Sequence, residues 1–129
     1  QIPSGQRYMP GDTLRVETWW STAAPLPADY SLGLHVIAPD GTLVAQNDGS
    51  PTGPHVLAET SMWAPGQVYR DERSLRLPWG LKPGVYEVRL VVYQWWDGVR
   101  LSPAPGAWAG PDDSLLLGTV IIDSFAYFD

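Results

Sequence analysis

Apolar and polar residues alternate along much of this chain, with the two-residue period of a β-strand rather than the period of an α-helix. The first clear run covers residues 13–20, where apolar side chains share the side of Trp20 and mostly polar ones share the side of Trp19. We therefore expect Trp20 to lie in a core and Trp19 to point outward.

Similar runs recur along the chain, separated by segments rich in Gly and Pro. They predict strands at residues 30–38, 42–46, 68–77, 85–94 and 115–123, with shorter ones near 56–60 and 99–102. The run at 30–38 is expected to be buried on both faces, and the half-polar run at 68–77 is typical of an edge or solvent-facing strand. About seven or eight strands without a helix indicate an all-β fold, an immunoglobulin-like, Greek-key β-sandwich of antiparallel strands.

The connections between these strands contain characteristic turn residues. Residues 39–41 are Pro-Asp-Gly, and an Asp-Gly pair between apolar runs favours a hairpin with a type I′ turn. A second Asp-Gly pair at 97–98 predicts another hairpin. The remaining irregular segments are expected to be a terminal tether at 1–6 and surface loops at 47–55 and 103–111.

The sharpest local signal is the segment 81–86, Leu-Lys-Pro-Gly-Val-Tyr, which stands directly before a predicted strand. In Greek-key sandwiches a tyrosine at this position forms a tyrosine corner, in which the phenol bonds to backbone a few residues upstream. We expect Tyr86 to do this. The inner face of the following strand is then predicted to consist of Tyr86, Val88, Leu90 and Val92.

The length of 129 residues suits one domain, so residues 1–129 are interpreted as a single unit. The net charge is -6, and the cations are Lys82 and arginines scattered among acids. Phosphate binding needs a basic stripe, so nucleic acid is not an expected partner. No apolar stretch approaches the roughly 20 residues of a spanning helix, so no direct membrane insertion is expected.

Two further features bear on context. The sequence has no cysteine, which excludes disulfides and thiolate metal sites. It begins at Gln1 without an initiating Met or a secretion signal, so we interpret it as a piece of a longer polypeptide.

Catalytic fingerprints such as a phosphate-binding loop, a nucleophile elbow or a zinc signature are absent from the sequence. His35 lies within a predicted strand, where a structural role is expected, and His55 lies in a loop. Asp71 and Glu72 are neighbours on a strand and would face opposite sides, so they could not flank one glycosidic bond. The acidic pair at 112–113 could help to bind calcium, although turn chemistry also explains it. We expect no catalytic residue, no metal site and no cofactor, and therefore no enzyme.

The aromatic content is high, with seven tryptophans and six tyrosines. Some of these rings are expected to fill the core, namely Trp20, Trp63 and Tyr86. Others are expected to be exposed and are the candidate ligand-binding residues: Trp19, Trp95, Trp96 and Trp108. Exposed rings beside hydrogen-bonding groups form stacking platforms for sugars or anchors for a protein partner. The alternative is that each loop tryptophan packs over its own end of the sandwich.

An ordered series of segments carries a family resemblance. The segments are Pro-Gly-Asp-Thr-Leu-Arg-Val at 10–16, Trp20, Pro-Asp-Gly at 39–41, Trp-Ala-Pro-Gly-Gln at 63–67, the segment 81–86 and Leu-Leu-Gly-Thr-Val at 116–120. Over nearly the whole chain they resemble the soluble C-terminal β-sandwich domain of bacterial multi-pass membrane glycosyltransferases of the protein-mannosyltransferase type, and of related envelope proteins. The resemblance implies an extracytoplasmic domain without catalytic residues, because transfer chemistry belongs to the membrane portion of such proteins.

The chain departs from that family pattern at Gln94-Trp95-Trp96, where a plainer polar turn is expected. The leading hypothesis is a non-catalytic accessory module of a cell-envelope protein that binds glycan through exposed tryptophans. The alternative is a structural or protein-interaction domain that meets another envelope protein or another copy of itself. A free-standing hydrolase would require acidic residues from separate strands to converge in one cleft.

Overall fold

The chain forms seven β-strands in a computed structural model that describes residues 5–51, 59–103, 109–110 and 112–123. The strands are β1 (Gln6–Tyr8), β2 (Thr13–Trp20), β3 (Tyr30–Ile37), β4 (Leu43–Gly49), β5 (Tyr69–Arg76), β6 (Gly84–Gln94) and β7 (Leu115–Ile122). A short 3₁₀ turn covers Thr60–Met62. The predicted all-β class is confirmed, and no helix in the described part of the chain is long and apolar enough to span a bilayer.

The strands form two sheets, a five-stranded sheet in the order β1-β7-β6-β3-β4 and a two-stranded sheet of β2 and β5. Because β2 and β5 lie in the second sheet and their chain neighbours in the first, the chain crosses repeatedly between layers, as in a Greek-key sandwich. All pairs are antiparallel except β1 and β7, which are parallel, so the expectation of antiparallel strands throughout is wrong at this edge. Part of the predicted tether at 1–6 also belongs to β1, which Arg7 fixes through a 2.8 Å ion pair with Asp123.

The core lies between the two sheets. Even-numbered residues of β2 point inward and alternate with exposed ones, so Trp20 packs against the core while Trp19 is exposed. The buried residues of this core are Leu14, Val16, Leu34, Val36, Leu75, Leu77, Tyr86, Val88, Leu90, Leu117, Val120 and Ile122. The predicted inner face of β6 and the double-sided burial of β3 are confirmed.

The tyrosine corner is confirmed. The Tyr86 hydroxyl donates a 2.8 Å hydrogen bond to the backbone carbonyl of Lys82, four residues upstream. The Tyr86 ring, near the start of β6, is buried in the core. Because its hydroxyl bonds to Lys82, the hydrogen bond fixes the connection from β5 to β6.

The hairpin between β3 and β4 exists, but its predicted turn type is wrong. Only Gly41 has a positive φ, of 89°, whereas a type I′ turn would require one at Asp40 as well. Gly41 N–H donates to the Ala38 carbonyl and Ala38 N–H to the Thr42 carbonyl, which describes a type I turn followed by a left-handed glycine. Pro39 stabilises this form because its fixed φ suits the second position of a type I turn.

Two further expectations need correction. Strand β4 continues to Gly49, so the predicted loop at 47–55 begins later. Most of the strand proposed near 56–60 lies outside the described residues, and at its end Thr60 begins a 3₁₀ turn instead. Strand β5 is an edge strand as expected, and its polar side faces solvent at Ser74 and Arg76, but its inward side also carries two charged residues. Asp71 and Arg73 are 2% and 4% exposed and form a 3.0 Å ion pair inside the sandwich.

Candidate functional site

The two ends of the sandwich differ in aromatic content. At one end β2 and β6 finish and β3 begins, and we call it the aromatic end, because five tryptophans lie there: Trp19, Trp20, Trp63, Trp95 and Trp96. At the other end, which we call the corner end, lie the tyrosine corner and Trp79. Trp108 lies outside the described residues.

The candidate rings Trp95 and Trp96 occupy the loop of a hairpin that continues from β6. Gln94 N–H donates to the Val99 carbonyl at 2.8 Å, and Gly98, with a φ of 74°, donates to the Gln94 carbonyl at 2.7 Å. Asp97 accepts the Val99 N–H at 2.9 Å. The hairpin predicted from Asp-Gly is confirmed, with a return that pairs through the bridge of Arg100 with Tyr93.

The two indole rings of this loop stand at right angles. Their centroids are 5.8 Å apart with an interplanar angle of 89°. Trp95 is 65% exposed and Trp96 50% exposed, so each presents most of a face or an edge to solvent. They are not tucked over the end of the sandwich, which was the alternative interpretation.

A polar cleft of about 220 Å³ begins at the same loop and lies on the face of the five-stranded sheet turned away from β2 and β5. It is lined by His35, Asp48, Val91, Tyr93, Gly98 and Arg100. Pockets that enclose a drug-sized ligand measure roughly 300–1,000 Å³, so this cleft suits one small polar unit. Gly98 is the last residue of the loop 95–98, which we call the aromatic loop, and it also lines the cleft, so the aromatic loop borders the cleft.

Asp48 organises the polar groups of the cleft. One carboxylate oxygen lies 3.2 Å from His35 Nε2, and the other accepts a 3.2 Å hydrogen bond from the Tyr93 hydroxyl. Burial raises the pKa of Tyr93, and the negative charge of Asp48 raises it further. His35 is buried and contacts Asp48, a partner that was not identified from the sequence.

Gly33 allows these side chains to converge. It pairs with Asp48 on β4 and with Val91 on β6, so the three residues form one row across the sheet. A Cβ atom on Gly33 would lie 2.7 Å from Val91 Cγ2 and 2.9 Å from Asp48 Oδ1. The absence of a side chain at this position thus permits the His35–Asp48 contact.

The far wall of the cleft is held by the loop before β7. Arg100 Nη1 donates to the Asp112 carbonyl at 3.0 Å and lies 3.6 Å from its carboxylate. The hydrogen bond from the Ser114 hydroxyl lowers the pKa of Asp112, and the charges of Arg100 and Arg89 lower it further. Asp113 accepts a 2.9 Å hydrogen bond from the Ser102 hydroxyl, so both acidic residues of the pair at 112–113 form hydrogen bonds within this region.

Trp19 lies on the other sheet. It is 61% exposed and borders a groove of about 320 Å³ between β2 and β7, together with Trp20 and Leu117. The structure therefore unites Trp95 and Trp96 in one site and leaves Trp19 in another place.

Trp79 was not considered as a candidate from the sequence, yet it is 66% exposed. Its ring lies against Gly11, where an added Cβ would come 2.7 Å from ring carbons, and 5.9 Å from the Arg76 guanidinium. Its position in the Pro-Trp-Gly turn at 78–80 was the only sequence signal for exposure.

The acidic pair Asp71 and Glu72 is divided between the two faces of β5. Asp71 is buried between the sheets, whereas Glu72 on the opposite face lies beside Arg70, 3.4 Å from its guanidinium, so the two carboxyl groups do not face one substrate. No group of three or more His, Asp or Glu side chains in residues 5–51, 59–103, 109–110 and 112–123 is placed to hold a metal ion.

No protein-family model matches the sequence, and no curated protein is significantly similar to it in sequence. A solved structure with the same fold is a family 123 glycoside hydrolase from Clostridium perfringens, described for its hydrolysis of glycolipid glycans. The TM-score is 0.53 at 13% sequence identity. The match covers 94% of this chain but only 23% of that enzyme, so this domain corresponds to less than a quarter of the enzyme's length.

Proposed function

We propose that this domain is a non-catalytic accessory module that binds carbohydrate through the hairpin of Trp95 and Trp96. One observation carries the proposal: two indole rings, each at least half exposed and at right angles, lie in a loop that ends at a polar cleft. Sugars present apolar C–H faces to aromatic rings and hydroxyl groups to polar side chains. The hairpin offers the first kind of contact and the cleft the second.

The comparison with the Clostridium perfringens enzyme supports a carbohydrate-related setting for this fold. That enzyme acts on glycans of glycolipids, and the matching part is a minor portion of its length. The placement of Asp71 and Glu72 on opposite faces of β5 favours a non-catalytic role for this pair, since the usual mechanism of glycoside hydrolysis uses two carboxyl groups that flank one bond.

The cell-envelope setting belongs to the same proposal. It follows from the sequence resemblance to the C-terminal domains of membrane glycosyltransferases, in which such a module would hold a glycan or a lipid-linked sugar near the membrane portion. Expression of the full reading frame, followed by fractionation of membranes, would test this setting separately from sugar binding.

The binding proposal is tested by titrating the domain with oligosaccharides while tryptophan fluorescence is recorded. We expect a spectral shift with a binding glycan, and a loss of affinity of about 30-fold or more in the double variant Trp95→Ala and Trp96→Ala, because truncating aromatic anchors costs on the order of 2 kcal/mol or more. The matched control is Trp79→Ala, which removes an exposed ring at the opposite end. A domain that responds to no neutral or acidic glycan would contradict the proposal.

A second candidate function is association through β2. Among the described strands β2 pairs only with β5, and exposed Trp19 stands beside the groove at its other edge. An added strand from a second copy could pair there. Light scattering over a range of protein concentrations should then show a dimer that Trp19→Ala weakens, whereas a monomer at every concentration argues against it.

A further inference from the structure

The polar cleft contains an acceptor with unused capacity. Within the described part of the chain, one Asp48 oxygen contacts His35 and the other accepts from Tyr93, while a carboxylate offers about four lone-pair positions. The Asp48 side chain is also 22% exposed, so it is not sealed beneath its partners. Asp48 can therefore accept a further hydrogen bond from a molecule that enters the cleft.

The same cleft contains a donor with unused capacity. Arg100 uses Nη1 for the carbonyl and carboxylate of Asp112, whereas a guanidinium has five N–H donors in a fixed fork. Its side chain is 35% exposed and borders the cleft. Arg100 can thus donate to a bound ligand while it remains anchored to the loop before β7.

A carboxylate and a guanidinium that share one small cleft match a pair of adjacent hydroxyl groups. Each hydroxyl can donate one hydrogen bond and accept others, so one hydroxyl of the pair can donate to Asp48 while its neighbour accepts from Arg100. The volume of about 220 Å³ favours a single sugar unit, and Val91 adds an apolar contact at the floor.

The charges around the cleft disfavour an anionic sugar. Asp48 lines the cleft and Asp97 belongs to the aromatic loop. The carboxylate of Asp112 lies 3.6 Å from the Arg100 guanidinium and partly neutralises its positive charge. The chain as a whole carries a net charge of -6. A ligand carboxylate next to Asp48 would meet like charge while losing solvent, which disfavours binding.

We infer that the cleft of Asp48 and Arg100 is a specificity subsite that selects a neutral sugar with two adjacent free hydroxyl groups and rejects acidic sugars. The inference rests on the proposed function, because it assumes that Trp95 and Trp96 hold the glycan next to the cleft. Asp48 accepts from one hydroxyl, Arg100 donates to the other, and Tyr93 and His35 position the Asp48 carboxylate.

The test compares neutral gluco-, galacto- and manno-configured oligosaccharides with their uronic-acid counterparts and with versions methylated on the adjacent hydroxyls. We expect the wild-type domain to bind a neutral glycan and to lose roughly 10–100-fold in affinity when those hydroxyls are methylated. Asp48→Asn and Arg100→Gln should each lower affinity for the neutral glycan by a similar factor. The matched control Arg70→Gln, on the other sheet, should leave affinity unchanged.

Two results separate the subsite from the proposed function. If the double variant of Trp95 and Trp96 abolishes binding while Asp48→Asn and Arg100→Gln bind as the wild type does, sugar binding holds and the subsite is wrong. An acidic glycan that binds as tightly as its neutral counterpart also overturns the subsite. If the wild type binds no glycan at all, both proposals fail. Thermal melting of each variant shows whether a loss of affinity reflects a lost contact or an unfolded domain. If Asp48→Asn unfolds, Arg100→Gln still tests the subsite.

Discussion

The two ends of this sandwich are closed by different kinds of contact. At the corner end the contacts are hydrogen bonds between residues close in the chain: the Tyr86 hydroxyl donates to the Lys82 carbonyl, and Ala38 N–H donates to the Thr42 carbonyl across a tight hairpin. At the aromatic end the connections are longer, and the closure depends on large rings and on the buried ion pair of β5. The corner end is thus fixed mainly by backbone geometry and the aromatic end by side chains.

This difference shows how to distinguish a structural aromatic residue from a candidate binding residue. Trp63 is buried and stacks on Tyr69 with ring centroids 4.8 Å apart, so its ring area is already used in folding. Trp95 and Trp96 contact each other and leave half or more of their surface in solvent. Rings of the second kind contribute little to folding and retain their surface for a ligand.

The largest expected effect is at Arg73, which closes the aromatic end. Its Nη2 donates to the carbonyls of Gly49 and Ser50 at 2.8 and 2.7 Å, and its Nε lies 3.0 Å from Asp71. Arg73→Met removes the guanidinium from beside a buried carboxylate, and we expect a loss of about 3–5 kcal/mol in the free energy of unfolding.

Urea denaturation followed by fluorescence measures this loss. The matched control is Arg70→Met, three positions earlier on the exposed face of β5, where we expect a change within about 0.5 kcal/mol. Similar losses in the two variants would mean that side-chain closure of the aromatic end is not what stabilises it.

An intermediate effect is expected at the corner end. Tyr86→Phe keeps the buried ring and removes only the hydroxyl that donates to Lys82, so the Lys82 carbonyl loses its bond. We expect a loss of about 1 kcal/mol in the free energy of unfolding, the usual contribution of one hydrogen bond.

The same denaturation series should include Trp95→Ala. Since that ring is 65% exposed, its removal should change stability by no more than about 0.5 kcal/mol, although it is far larger than a hydroxyl. A greater loss for Trp95→Ala than for Tyr86→Phe would mean that the aromatic loop is structural, and would weaken its assignment as a binding surface.

The corner end was largely predictable from the sequence, because its determinants are local. The segment 81–86 contains the whole tyrosine corner, and the hairpin at 39–41 was located although its turn type was not. The turn type failed because the Asp-Gly pair alone does not fix how many residues the loop contains, and Pro39 favours the type I form.

The aromatic end was less predictable, because its key contacts join residues far apart in the chain. The exposure of Trp95 and Trp96 followed from their hairpin, but Asp48 joins His35 and Tyr93 across three strands. That convergence depends on strand order and register, and on the gap that Gly33 leaves. The burial of the Asp71–Arg73 pair was not predicted, because charged residues on a strand ordinarily face solvent, although alternation places both on the side of Leu75.

The smallest effect concerns the proton of Tyr93, and it tests whether the cleft has the electrostatics described. The pKa of Tyr93 is raised above its ordinary value of 10.0, first by burial and then by the charge of Asp48. A raised folded-state pKa means that above pH 10.0 the unfolded chain releases this proton before the folded one does. Stability from this group is therefore complete below pH 10.0 and is lost as the pH rises through the folded-state pKa.

We expect the absorbance of tyrosinate, taken as the difference between the wild type and Tyr93→Phe, to show titration above pH 10.0. Asp48→Asn should move that titration part of the way back, because it removes a negative charge but leaves the burial that is the larger cause. A Tyr93 that titrates at the ordinary value in the wild type would mean that the cleft is open to water and that Asp48 does not contact the phenol. The polar cleft would then lack the fixed geometry that is needed to select neutral over acidic sugars. The exposed rings of Trp95 and Trp96 would then be the one feature that distinguishes the aromatic end from the corner end as a candidate binding surface.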